Sequence, residues 1–170
     1  QMGTLVADAM LARVANQGVQ VAIMNGGGIR AGIDAGEVTM GEVLTVLPFQ
    51  NTLSTFRVSG QTLLDALEHG VSGITNGDGK FPQVAGVSFS IALTAPAGER
   101  VRGLTVAGNP IDRTADYLVA SNDFLRTGGD GYAMFKTARD AYDFGPNLAE
   151  VVSEYLAQNN PYTPYTDGRI

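Results

Sequence analysis

Cysteine is absent from the 170 residues, which excludes thiol catalysis, disulfide bridges and cysteine-ligated zinc. Histidine is almost absent: His69 stands alone. With one histidine and no H-E-x-x-H or D-x-H cluster, the chain cannot build a two-metal site of the usual composition. No G-x-S-x-G elbow exposes a serine, so His69 cannot complete a Ser-His-Asp triad either. Long apolar runs are missing too, and no stretch approaches the ~20 residues of a membrane-spanning helix. Basic clusters are likewise lacking. Eleven Lys and Arg face 17 Asp and Glu, and the net charge of -6 argues against a nucleic-acid polymer or an anionic membrane as partner. A small anion can still bind at a local arginine.

The standard nucleotide motifs are not met. Asn25-Gly26-Gly27-Gly28-Ile29-Arg30 lacks the Lys-Ser/Thr of a P-loop, and no G-x-G-x-x-G precedes a helix. Asn76-Gly77-Asp78-Gly79-Lys80 has the composition of a loop, without the further ligands and closing glutamate of a calcium loop.

What is present is ordinary globular material. Hydrophobic residues make up 44% and charged residues 16%, and the length fits one domain over residues 1–170 with a single packed core. The chain opens at Gln1 directly in a helical pattern, as a piece of something longer would. Met2, Leu5, Val6, Ala9, Met10 and Val14 predict an amphipathic helix that stops at Gly18. Val19 to Met24 predict a buried strand ending at Asn25. Thr39 and Glu42 form a capping-box pattern for a short helix to Leu47, which Pro48 ends. An alternating strand from Thr52 to Val58 follows, then a helix from Ser59-Gly60 with Leu63, Leu64, Leu67 and Val71 as its stripe. His69 lies off that stripe, near the helix end, partly exposed. Beyond Val84 the pattern turns to short strands at Gly86 to Leu93, Val101 to Ala107 and Asp116 to Ala120. Gly145-Pro146 then opens a helix with Leu148, Val151, Val152, Tyr155 and Leu156 inward. Without repeat or linker, the expected architecture is a mixed α/β (α+β) domain, a mixed sheet flanked by helices.

Chemistry concentrates in Ser121 to Tyr132, after the buried run Tyr117 to Ala120. Glycines around Asp130 allow a tight loop at a strand's carboxyl end, with Phe124 six residues before it. The same pattern also serves as a plain turn. Arg30 reads either as a fork for phosphate or hydroxyl oxygens or as a surface arginine after a glycine turn. Phe49, beside Gln50 and Asn51, reads as a core plug or as a ligand platform. Taken together, two loop aromatics, an asparagine at each of two strand ends, Arg30 and a loop-held aspartate are the groups that a nucleoside needs: stacking for the base, an amide for its edge, a carboxylate for ribose hydroxyls.

Six segments in register resemble the C-terminal domain of the 5'-nucleotidases. They are Met2-Gly3-x-Leu5 with Asp8-Ala9, Asn25 to Arg30, Leu47-Pro48-Phe49, Gly79-Lys80-Phe81-x-Gln83-Val84, Asn122 to Tyr132, and Asp167-Gly168-Arg169-Ile170. In that family an N-terminal calcineurin-like domain holds two divalent metal ions and the catalytic residues, and the C-terminal domain binds the nucleotide. The resemblance therefore implies no catalytic residue and no metal in this chain, a metallophosphoesterase domain of the same protein as partner, and a periplasmic, secreted or cell-surface location. It implies that Phe49 and Phe124 sandwich the base, with Asn51 at its edge and Gly79 lining its pocket. Asp130 would take the ribose hydroxyls, and Arg30 with Asn25 would hold the phosphate end. Related scaffolds that act on cyclic nucleotides, UDP-sugars or thiosulfate-type substrates are the alternatives, as is a non-catalytic binding module. Arg126 departs from the pattern, standing where relatives commonly have a small residue. It reads as an arginine pointing into solvent, or as an extra cation near the ligand.

Overall fold

A computed structural model describes residues 1–170. In chain order the elements are α1 (Met2–Val14), β1 (Val21–Asn25), α2 (Met40–Val46), β2 (Leu53–Ser59), α3 (Gly60–Val71), β3 (Pro82–Ala85), β4 (Val87–Ile91), β5 (Val101–Val106), β6 (Asn109–Pro110), β7 (Asp116–Asn122), α4 (Asp123–Arg126), β8 (Arg139–Tyr142) and α5 (Leu148–Gln158). Five strands form a mixed sheet in the order β3-β1-β7-β2-β8, and β4-β5-β6 form a small antiparallel sheet. Only β1 and β7 run parallel.

The large sheet is the middle layer, so the core predicted as one is divided into two. Successive side chains on a strand point to opposite faces. Along β1, Ala22 and Met24 join a core built with Leu5, Val6 and Met10 of α1, Val43 and Val46 of α2, and Val151 and Val152 of α5. Val21 and Ile23 join the opposite core with Leu63, Leu67 and Val71 of α3. The small sheet closes that second core, with Val87 and Phe89 of β4 and Leu104 and Val106 of β5 turned inward. A strand buried on both faces has to be continuously apolar, as Val21 to Met24 are; Gln20, just before them, is exposed.

Local signals hold at the helix ends. Thr39 N–H donates to Glu42 Oε2 at 2.7 Å and Glu42 N–H donates to Thr39 Oγ1 at 3.3 Å, the reciprocal pair of a capping box. Ser59 and Asn147 cap α3 and α5 without the reciprocal bond, each side chain accepting one first-turn N–H. Glu68 is a buried carboxylate on α3, and it accepts the N–H groups of Arg100 and Val101 at 2.9 and 2.8 Å where β5 begins.

Two strands differ from the sequence expectation. The run from Gly86 to Leu93 is not one strand with a preceding loop; Pro82–Ala85 is already a strand of the large sheet, and the chain changes sheets at Gly86. Gly86 has φ +76°, and a Cβ there would lie 2.0 Å from the Gln20 carbonyl oxygen, so only glycine makes this corner. Strand β8 carries no apolar alternation, and all four of its residues are exposed. Pairing with β2 places it, together with ion pairs Arg57–Asp140 and Arg139–Asp116. At the far end Arg169 donates to Asp8 of α1 at 2.6 Å and to the Val84 carbonyl of β3 at 2.9 Å, and its own carbonyl accepts from Phe89 of β4. The closing segment thereby fastens one helix and both sheets.

Gly77 also has a left-handed backbone, φ +68°, but with no heavy atom within 4 Å of a Cβ. Gly77→Ala is expected to cost only the backbone strain, ~1–2 kcal/mol, whereas Gly86→Ala adds an overpacking cost of ~1–3 kcal/mol. Urea unfolding compares the two directly. Equal midpoints would refute the close approach at Gly86.

Candidate functional site

Strand directions decide where the loops meet. Because β1 and β7 are parallel, Asn25 and Asn122 end their strands at the same edge of the sheet. Strands β2 and β3 run antiparallel to these neighbours, so they begin at that edge, with Leu53 opposite Asn122 and Pro82 opposite Asn25. The segments holding Asn25 and Arg30, Phe49 and Asn51, Gly79, and Phe124 and Asp130 therefore converge on one rim. Ligands in open α/β sheets bind outside the carboxyl ends of such strands.

A chain of buried amides ties the rim together. Leu125 N–H donates to Asn122 Oδ1 at 2.7 Å, Asn122 Nδ2 donates to Asn25 Oδ1 at 2.9 Å, and Asn25 Nδ2 donates to Asp130 Oδ2 at 2.7 Å. Asn25 and Asn122 are 4% and 1% exposed, so these bonds meet a requirement that water cannot. Asp130 is exposed and carries a left-handed backbone, φ +51°. Its carboxylate is aimed from Asn25 while its second oxygen, Oδ1, accepts no hydrogen bond from the protein. Next to the loop Tyr132 is buried and donates to the Lys80 carbonyl at 2.7 Å. Burial first, and the Asp130 charge second, push its phenol far above the usual range.

The glycine turn after β1 forms a short 3-10 turn, Gly26–Gly28, stapled to the opposite loop. Gly26 N–H donates to the Phe81 carbonyl at 2.8 Å and Gly27 N–H to the Gly79 carbonyl at 2.7 Å. Gly79 is thus placed against the Asn25 segment, exposed on the rim. Arg30 is exposed; its guanidinium donates to the Gly27 carbonyl at 3.2 Å and meets no carboxylate. It is a cation left available for an anion.

The aromatic residues stand apart from both cores. Phe49 is 59% exposed and Phe124 43% exposed, and their rings do not stack on each other. One face of Phe124 lies flat against Gly129, where a Cβ would meet three ring carbons at 2.6 Å. Glycine at 129 therefore seats the ring, and the remainder of the ring faces outward. Asn51 Nδ2 donates to Asp123 Oδ1 at 2.9 Å, and Thr52 N–H shares the same acceptor at 3.2 Å. These bonds brace the Phe49 loop against the first residue of α4, next to Phe124.

Arg126 requires a correction. Its side chain is 14% exposed, donates to the Phe135 carbonyl at 3.2 Å and pairs with Asp143 at 3.6 Å. It is neither a solvent-facing arginine nor a cation facing the rim, because the α4 turn directs it back toward the β8 side. The sequence reading placed Asn122 in the loop segment without giving it a role of its own, and did not count Asp123 or His69 among the site residues. Asn122 carried a usable signal, an asparagine at a strand end three residues before an unsatisfied helix N–H. His69 carried none, since its contact with the Asp130 carbonyl spans 61 residues. No group of three or more histidine, cysteine or acidic side chains converges as a metal site.

The family model for the 5'-nucleotidase C-terminal domain matches residues 1–137. The chain belongs to that family. Among relatives, this 5'-nucleotidase C-terminal domain is 42% identical over 176 residues to the trifunctional nucleotide phosphoesterase protein YfkN of Bacillus subtilis, covering 99% of the chain and 12% of that protein. It is 34% identical over 164 residues to an apyrase of Tabanus yao, covering 89% of the chain and 29% of the apyrase. The crystal structure of a 5'-nucleotidase precursor from Thermus thermophilus superposes with a TM-score of 0.95 at 40% identity, covering 99% of the domain and 34% of that chain. The domain thus spans about a third or less of the length of these relatives.

Exposure separates rim from core in a measurable way. Phe49→Ala and Phe124→Ala are expected to shift the melting temperature of the domain only slightly, because neither ring is buried. Phe135→Ala, wholly buried against Phe56, should cost ~3–5 kcal/mol. A loss of that size in Phe124→Ala would make it a core residue.

Proposed function

We propose that residues 1–170 are the substrate-binding domain of a metal-dependent nucleotide phosphohydrolase that releases nucleoside and phosphate. One observation carries the reading. Two exposed phenylalanines, an aimed carboxylate and an unpaired guanidinium stand on one rim, which is the set of groups for base, ribose and phosphate. In this reading Phe49 and Phe124 take the faces of the base, and Asn51 presents its free carbonyl oxygen to the base edge beside Gly79. Asp130 accepts the ribose hydroxyls, and Arg30 with the Asn25 segment directs the phosphate outward. A base-bearing ligand is favoured over a thiosulfate-type substrate because such a substrate has no use for the two rings.

No donor set for two divalent ions exists in this chain. The metals and the catalytic groups belong to a metallophosphoesterase domain of the same protein, by the family resemblance, and the work of these residues is binding and orientation. A periplasmic, secreted or cell-surface location is part of the proposal. No helix is long and apolar enough to cross a membrane.

The test is titration with adenosine followed by amide NMR shifts. Stacking on an aromatic is worth ~1–3 kcal/mol, so Phe124→Ala should weaken binding about tenfold to a hundredfold. Unchanged affinity would remove Phe124 from the site. The domain alone, supplied with divalent metal and AMP, should release no phosphate, and activity that follows the purified protein peak would overturn the division of labour.

A further inference from the structure

We propose that His69, the only histidine, is a positioning residue that holds Asp130 in its ligand-facing conformation; this deepens the reading of Asp130 as the ribose contact and rests on it. His69 Nε2 lies 2.8 Å from the Asp130 carbonyl oxygen. A carbonyl only accepts, so Nε2 carries the proton, and both the neutral Nε2–H ring and the imidazolium can donate. The bond is useful because Asp130 has φ +51° and ψ +22°, a left-handed conformation that is unfavourable for a residue with a Cβ, less so for Asp than for most, and that contacts from its surroundings help to hold.

Asp130 is pinned from two sides by two elements that are not its own. Asn25, at the end of β1, fixes the carboxylate, and His69, on the last turn of α3, fixes the carbonyl. The imidazole lies flush against the loop, since a Cβ on Gly131 would meet its Cε1 and Nε2 at 2.8 Å. Its other neighbour is Tyr132, edge-on at 5.0 Å and 82°, whose hydroxyl donates to Lys80 beside Gly79. The Tyr132 hydroxyl fits there because residue 70 is glycine, where a Cβ would lie 2.5 Å from it. The end of α3 is thus a seat shared by the Asp130 loop and the Gly79 loop, and His69 reaches the ligand only through Asp130.

Nitrogen-15 NMR of the imidazole in the unaltered protein is the first test, and it does not depend on any variant folding. The neutral ring should be the Nε2–H tautomer, and an Nδ1–H tautomer would overturn the proposal. The second test is a cycle of adenosine titrations. His69→Leu should weaken adenosine about tenfold, as loss of an ordering hydrogen bond at a strained loop would. His69→Gln, which keeps an N–H donor, should recover most of it. In an Asp130→Ala background, His69→Leu should have little further effect. A full additional loss there, or no rescue by glutamine, would show that His69 acts only on general stability and refute the positioning role. Unchanged affinity in Asp130→Ala alone would instead refute the ribose contact, and with it the positioning role of His69, while leaving the tautomer result intact.

Discussion

The parallel pairing of β1 and β7 is the constraint on which the rest of this molecule depends. It puts two asparagines, each the last residue of its strand, side by side in a place too buried for water. A buried amide costs free energy unless its donors and acceptor are used. Asn25 and Asn122 therefore bond to each other, and the bonds left over reach outward, to the first turn of α4 and to the Asp130 carboxylate. The placement of the rim is the consequence of satisfying the sheet edge.

Rigidity and exposure are kept on different parts of the chain. Both faces of the large sheet are covered by apolar layers, one of helices and one of a helix with a small sheet, so the strands that carry the rim loops cannot shift independently. The side chains facing outward are short of partners by comparison: two phenylalanine rings outside both cores and an arginine without a carboxylate. Loops positioned by a packed scaffold are where binding residues concentrate. Backbone bonds between Gly27 and Gly79, and the Asn51–Asp123 brace, connect loops to each other as well as to the sheet. The rim loops are thereby held to one another by the protein's own bonds.

Charged residues of this 5'-nucleotidase C-terminal domain also hold the fold together. Arg169 fastens α1 to β3, Glu68 caps the start of β5, and Arg126 pairs with Asp143 behind α4. Each of these was invisible as a pair in the sequence because the partners lie 17 to 161 residues apart.

The sequence by itself determined the local order: the helix caps at Thr39 and Ser59, the buried strand ending at Asn25, the apolar face of α5, and the residue types gathered around Asp130. These are legible because periodicity and capping act over a few residues. It did not contain the change of sheets at Gly86, the exposed strand β8, or the direction of Arg126. Those depend on what the distant chain offers, a Gln20 carbonyl too close for a side chain, a β2 edge to pair with, and Asp143 behind the α4 turn. The seating of Asp130 belongs to the tertiary structure for the same reason. Its left-handed conformation is held by Asn25 and His69, 105 and 61 residues away, in addition to the turn bond from Tyr132 to Gly129.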